Sequence, residues 1–254
     1  MKVRILGCSG GIGAGLRSTS ILIDDDILID AGTGLGDLTL EEMGRIRHIF
    51  VTHSHLDHVC FLPLLIDTIF DVVTEPVIIH GQEKTVQALQ GYIFNWVVWP
   101  DFAELPRPEA PVLSYHIMQP GDVWEDNGRK FEIIKVNHIV PAVGYRVEDK
   151  DGSFAFSGDT YTNDSFWDAL NAHDSLDMLM VEAAFADHNL ELSKMAKHYC
   201  PSTLAADMKK LRHEPDVYIT HRKPGEEVRI LQECREHMPE RNIEGLSDGE
   251  IFKL

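Results

Sequence analysis

Apolar residues in this chain gather in short runs separated by glycine, proline and acidic residues, and the period of those runs changes along its length. Near the start, "KVRIL" and "STSILIDDDILIDAG" are strand-like, and they flank the glycine-rich "GCSGGIGAGLR". A short strand "IRHIFVT" follows, then a polar cluster, then an apolar helical segment from about Val59 to Thr68. "PVIIHG" predicts a strand and "QEKTVQALQGYIFNWVV" a helix, after which the prolines of "VWPDFAELPRPEAPV" break regular structure. Strands recur at "LSYHIM", "KFEIIKVNH", "VGYRVED" and "SFAFSGD". The C-terminal third alternates helix and strand through "SFWDALNAH", "SLDMLMVEA", "STLAADMKKLRH", "DVYITH" and "EVRILQECREH". Strands in two groups, each followed by helices, predict an α+β protein of two packed sheets with helices outside. No polar linker long enough to divide the chain is present, so residues 1–254 are read as one domain.

Candidate chemistry changes this picture at "HSHLDH". His53 and His55 are two apart in extended chain, so both imidazoles can point to one side. Asp57 and His58 stand where the helix begins, turned toward a second point, so one short loop can serve two metal ions. Imidazole with carboxylate suits zinc, and also manganese or iron, because no ligand is a soft thiolate. Three later positions share one context, an apolar strand that ends in an ionisable group: His138 after "IIKVN", Asp159 after "FAFSG" and His221 after "DVYIT". Gly158 lets the backbone turn closely beside Asp159, whose carboxylate could bridge two cations. The glycine-rich loop is set aside as a dinucleotide site because a strand follows it, whereas that motif must open a helix.

Charge narrows the partners. With 23 basic and 41 acidic residues the formal charge is -18, which repels polyanions and disfavours long nucleic acid. A small anionic substrate drawn to a local metal charge remains compatible. The four cysteines are far apart and form no C-x-x-C pair, so free thiols are expected rather than a disulfide framework or a thiolate zinc site. No apolar run approaches the ~20 residues of a membrane span, and no signal peptide is evident, so the expected address is the cytoplasm.

The pattern of "HSHLDH" with later His, Asp and His positions resembles the metallo-β-lactamase superfamily, from the opening strands through "DAGTG" to "THRKPG". That resemblance implies a four-layer αββα sandwich, with two packed mixed β-sheets flanked by helices. It also implies a dinuclear site in which His53, His55 and His138 hold one ion, Asp57, His58 and His221 hold the other, and Asp159 bridges. Finer marks resemble the class II 3′,5′-cyclic nucleotide phosphodiesterases: leucine before the aspartate in "HSHLDH", "IFNWVVWP", "ITHRKP", and "VEAAF" followed by "HYCPSTL". Two departures stand out, since "VCFLPLL" lacks the glycine usual there and Arg222 replaces an expected isoleucine. tRNase Z shares the H-x-H-x-D-H loop, the S-G-D-T motif, and residues resembling Glu182 and His198. Its short form carries an arm between the third histidine and the bridging aspartate, and the interval from His138 to Asp159 has no room for one.

The implied function is a dinuclear metal-dependent phosphodiesterase that opens cAMP or cGMP through attack of a metal-bridging hydroxide. Two shared ions would lower the pKa of a water toward ~7. Asp57, His198 and Glu182 are the expected catalytic groups, with His198 serving the departing oxygen and Glu182 orienting its ring; the alternative is a solvated Glu182–His198 pair. A tRNase Z-like ribonuclease is the alternative within the superfamily, and a non-hydrolytic metal-binding or sensing protein is the alternative of another class. Relatives that are often dimers make a homodimer compatible. Phe94, Trp96, Trp99 and Phe102 either stack a base and close the mouth, or form core or a subunit contact. Asp30 either accepts from a ligand histidine or caps its own turn. Arg222 and Lys223 either meet phosphate or lie on the surface, while His48, His80, His116, His173, His188, His213 and His237 lack partners at suggestive spacing and are read as structural or surface.

Overall fold

The computed structural model describes residues 1–254. Six strands form in the first half: β1 (Lys2–Gly7), β2 (Ser20–Ile23), β3 (Ile27–Ile29), β4 (His48–Phe50), β5 (Val77–Gly81) and β6 (Leu113–Ile117). Eight follow: β7 (Val123–Asp126), β8 (Arg129–Lys135), β9 (Val143–Glu148), β10 (Ser153–Phe156), β11 (Met178–Glu182), β12 (Asp216–Thr220), β13 (Ile243–Gly245) and β14 (Ile251–Lys253). They make two seven-stranded sheets, ordered β14-β1-β2-β3-β4-β5-β6 and β13-β12-β11-β10-β9-β8-β7. Each sheet is mixed. β14 through β3 pair antiparallel and β3 through β6 parallel, while β7 through β10 pair antiparallel and β10 through β13 parallel.

The runs are continuously apolar because both faces of each sheet are covered. With a side-chain period of two, Ile21, Ile23, Ile27, Ile29 and Phe50 face the second sheet, where they meet Phe131, Ile133, Tyr145, Phe154 and Met180. The Phe50 and Phe131 rings stack there at 4.3 Å. Leu22, Leu28 and Ile49 face outward, onto α3 (Leu62–Ile69) and α4 (Glu83–Tyr92). On the far side Leu179 and Val181 pack against α5 (Ser165–Asn171), α7 (Pro201–Met208) and α8 (Glu227–His237). The short helices α1 (Leu40–Met43), α2 (Leu56–Val59) and α6 (Leu190–Ala196) complete the helical layers. Two mixed seven-stranded sheets with flanking helices is the architecture expected, and no helix is long and apolar enough to cross a membrane.

Local differences from the sequence reading have local causes. "STSILIDDDILIDAG" is a hairpin rather than one run, because Asp24 takes a left-handed backbone (φ 49°) and turns β2 back as β3. The helix expected through Val98 stops at Tyr92, and Asn95 then accepts from the amides of Val97 and Val98, with Trp96 at φ 63°. Phe94 and Phe102 are core, whereas Trp96 is exposed. All four cysteines are free thiols, and Cys8, Cys200 and Cys234 are buried.

Three histidines read as unpartnered are in fact assembled by strand pairing. The parallel register sets His80 opposite His116 and Phe50 opposite His80. His80 lies 2.9 Å from His48 through Nε2 and 2.9 Å from His116 through Nδ1, with its ring stacked on Phe50. Burial, reinforced by His48 and His116, pushes the His80 imidazole down to about 3. Residues far apart in sequence share this register only after the sheet forms, so spacing could not reveal it. His173 and His237 instead meet single carboxylates, Glu132 and Asp187.

Candidate metal centre

Strand ends from both sheets converge at one edge of the sandwich. β3 leads into Asp30, β4 into His53, β8 into His138 and β10 into Asp159, while β11 ends at Glu182 and β12 leads into His221. Asp30, Gly158 and His221 all have left-handed backbones (φ 57°, 57° and 56°), which turn the chain sharply where a strand stops. At Gly158 only glycine fits, since a Cβ would lie 2.7 Å from the Val143 carbonyl oxygen. Two ties across the sheets align the edges: the Val143 amide donates to Thr52 O and the Tyr145 hydroxyl to Val51 O.

Two clusters share one carboxylate. His53, His55, His138 and Asp159 form one, and Asp57, His58, Asp159 and His221 the other; within each, the prospective ligand atoms lie within 4.8 Å of one another. His53 Nε2 and His58 Nε2 stand 3.6 and 3.3 Å from Asp159 Oδ2, and His221 Nδ1 stands 3.3 Å from Oδ1. His138 Nε2 and His55 Nδ1 are 3.2 Å apart. His221 Nε2 and His58 Nε2 lie 3.8 and 3.9 Å from Asp57 Oδ2. All seven residues singled out in the sequence are therefore brought together. His53, His58, His138, Asp159 and His221 are buried, while His55 and Asp57 remain partly exposed and open the centre to solvent.

The far ring nitrogens are tied down by neighbours. His58 Nδ1 donates to Asp30 Oδ2 at 2.6 Å, and Asp30 accepts further from the Thr52 amide and hydroxyl, both at 2.8 Å. Thr52 Oγ1 also lies 3.0 Å from His53 Nδ1, and His138 Nδ1 donates to the Lys197 carbonyl at 3.0 Å. Such contacts turn Nε2 of His53, His58 and His138 inward, where each ring in its neutral form offers a lone pair. His53 Nε2, His58 Nε2 and both His221 nitrogens are buried with no hydrogen-bond partner, a costly arrangement that cations would relieve. The donor set of five imidazoles and two carboxylates fits a pair of divalent ions.

Electrostatics follow from the crowding. Burial opposes charge on Asp159, yet His221 and His58 beside it hold its carboxyl well below the usual carboxylate range. Burial pushes His138 down to about 4 and His53 well below its ordinary value, so both stay neutral and able to donate a lone pair. For His58, burial works downward but Asp159 and Asp30 prevail and raise it.

Glu182 and His198 stand beside this centre and are not a solvated pair. Both are buried, with His198 Nδ1 at 2.8 Å from Glu182 Oε1 and the carboxylate also accepting from the amides of Thr160 and Ala184. The His198 ring stacks on His221 at 5.3 Å and meets the His138 ring edge-on at 4.9 Å. Burial pushes Glu182 up; burial opposes charge on His198, which Glu182 nevertheless holds above its ordinary value.

The glycine-rich loop backs His221. The His221 amide donates to Cys8 O at 2.8 Å, the Gly10 amide to Arg222 O at 3.0 Å, and a Cβ on Gly10 would lie 2.2 Å from His221 O. Arg222 Nη2 donates to Leu246 O at 2.8 Å, and its guanidinium packs against Gly245. Sequence reasoning missed Thr52, the Lys197 carbonyl and the backing role of Gly10. A signal for the threonine existed, because "TH" closes an apolar strand at both Thr52–His53 and Thr220–His221.

Comparison with known proteins agrees with this construction. Ribonuclease Z of Acaryochloris marina is 27% identical over 172 residues, which cover 63% of this chain and 51% of that protein, so the chain spans about half the length of the curated relatives it matches. Among solved structures, unliganded yeast PDE1 superposes with a TM-score of 0.83 at 19% identity, covering 100% of this chain and 99% of that one. The human short-form tRNase Z superposes at 0.68 with 19% identity, covering 100% and 99%. The model of the beta-lactamase superfamily domain matches residues 25–238, and with two mixed seven-stranded sheets and paired His/Asp clusters consistent with a dinuclear metal site, the chain belongs to that superfamily and has the metallo-β-lactamase fold.

Proposed function

We propose that this protein is a dinuclear metal-dependent phosphodiesterase acting on small phosphodiesters, with 3′,5′-cyclic nucleotides as the first substrates to test. The observation that carries the proposal is the buried Glu182–His198 pair set against the shared carboxylate Asp159. Divalent ions held by His53, His55, His138, Asp57, His58, His221 and Asp159 would supply Lewis acidity toward a phosphoryl oxygen and acidify water. Zinc suits these donors, as do manganese and iron. The protein groups do the rest. Asp57, partly exposed between His58 and His221, accepts a proton from the attacking water. Glu182 holds Nδ1 of His198, which aims its Nε2 at the departing oxygen and places a proton there.

The curated relatives named Ribonuclease Z favour a second reading, cleavage of a tRNA precursor. Against it, the chain from His138 to Asp159 is filled by the β9–β10 hairpin without an inserted arm, and the charge of -18 repels a long polyanion. The test is hydrolysis of cAMP and cGMP beside bis(p-nitrophenyl) phosphate and a 3′-extended tRNA precursor, with protein loaded separately with zinc, manganese and iron. A cyclic nucleotide opened with kcat/KM above ~10⁴ M⁻¹s⁻¹ and inhibited by chelator supports the proposal. Cleavage of the tRNA alone overturns it in favour of the second reading, and a redox-active but hydrolytically inert protein overturns both.

A further inference from the structure

We propose that Lys223 selects for substrate charge: its ammonium takes an oxygen of an anionic phosphoryl ester on the His198 side of the centre, so anionic diesters are preferred over uncharged esters. This deepens the phosphodiesterase reading and rests on it for the class of ester. Lys223 lies two residues after His221, and its backbone amide is fixed on Ala184 O at 3.1 Å. The side chain folds back over the glycine-rich loop, with Nζ donating to Gly10 O at 2.7 Å and lying 5.8 Å from the centre of the Phe185 ring. That ring is in turn 5.8 Å from the His198 ring, centre to centre.

Lys223 has neutral partners. Lys2, Lys130, Lys150, Lys194 and Lys210 each pair with a carboxylate, whereas Lys223 is held by a carbonyl and a π face, as Lys197 is held by Asn137 Oδ1. Neutral partners position an ammonium without cancelling its charge, and one of its three protons remains for a ligand. In a protein of charge -18, a cation beside the centre left unneutralised is a local attractor for an anion. Its neighbour Arg222 is held elsewhere, with Nη2 donating to Leu246 O and the guanidinium packed against Gly245.

The experiment compares metal-loaded wild type with Lys223→Met and Lys223→Arg on bis(p-nitrophenyl) phosphate, a monoanion, and on the uncharged diethyl p-nitrophenyl phosphate. Binding of inorganic phosphate is followed by calorimetry in parallel. Lys223→Met should lower kcat/KM for the diester and weaken phosphate binding by about 10–100-fold, the range for a hydrogen bond to a charged group. The triester should change by less than about 2-fold, metal content and Tm should hold, and Lys223→Arg should recover most of the loss, because it restores the charge. Equal losses on both esters, or phosphate binding that does not change, would overturn the assignment and leave Lys223 as a tie for the loop. If wild type cleaves neither ester while Lys223→Met still weakens phosphate binding, the charge-selecting role stands and the phosphodiesterase reading falls.

Discussion

Replacing Asp30 by asparagine separates a ligand-orienting group from a turn cap. Asparagine tolerates the left-handed backbone at this position, so the turn itself survives the change. Asp30 is fully buried and accepts three hydrogen bonds, from His58 Nδ1 at 2.6 Å and from the Thr52 amide and hydroxyl at 2.8 Å. The amide oxygen of asparagine can keep the Thr52 amide, and the threonine hydroxyl can rotate to accept from the new NH₂. The bond from His58 cannot be replaced, because a donor then faces a donor. Losing one bond to a charged acceptor costs about 1.5–3 kcal/mol, roughly 10–100-fold in an equilibrium constant. Released from the carboxylate, the His58 ring can place its proton on Nε2, the atom turned toward Asp159, and coordination there is lost. We therefore expect affinity at the Asp57–His58–His221 position to fall about 10–100-fold while the His53–His55–His138 position keeps its ion more firmly. Zinc titration against a chromophoric chelator, with bound metal counted per chain, measures both steps. An Asp30→Asn protein that binds two ions with wild-type affinity but unfolds at lower temperature would refute the orienting role and leave Asp30 as a cap.

Other outcomes follow from the same geometry. His198→Gln should lower kcat on a phosphodiester by about 10²–10⁴-fold with bound metal unchanged, as steady-state kinetics and metal analysis can establish; a loss confined to KM would contradict the role proposed for it at the departing oxygen. His80, neutral in the fold down to about pH 3 and titrating near 6.5 when unfolded, leaves the unfolded chain binding the extra proton between those values. Stability should thus rise with pH across that window, by up to about 1.4 kcal/mol per unit, and be independent of His80 above ~7. Urea unfolding at several pH values should show the slope flattened in His80→Phe, and an unchanged slope would dispose of the idea. Gly10→Ala drives a methyl against the His221 carbonyl, so overpacking of about 1–3 kcal/mol should lower Tm and weaken the ion beside His221, read by thermal melts with and without metal; full wild-type behaviour would mean the loop yields freely.

Much of the centre was legible in the chain before folding. "HSHLDH" is dense enough in ligand atoms to declare itself, and His138, Asp159 and His221 share the mark of an ionisable group closing an apolar strand. The two packed sheets were legible for a related reason: short apolar runs such as "SILI" and "MLMVE" must be covered on both faces, which calls for a second sheet on one side and helices on the other. These are properties of neighbouring residues, and sequence order carries them. Contacts across register are not. The Asp30–Thr52–His58 network, the carbonyl of Lys197 behind His138, the Gly10 contact on His221 and the His48–His80–His116 chain all join positions whose distance is set by sheet pairing and sheet packing. The same cause tied Arg222 to Leu246 O and Lys223 to Gly10 O, although the two are adjacent in the chain. The sequence alone determined which groups could bind metal, because that depends on residue type and local spacing; the tertiary structure alone decided which nitrogen of each ring faces inward and which charge stays unpaired, because those depend on atoms that only folding brings within hydrogen-bond reach.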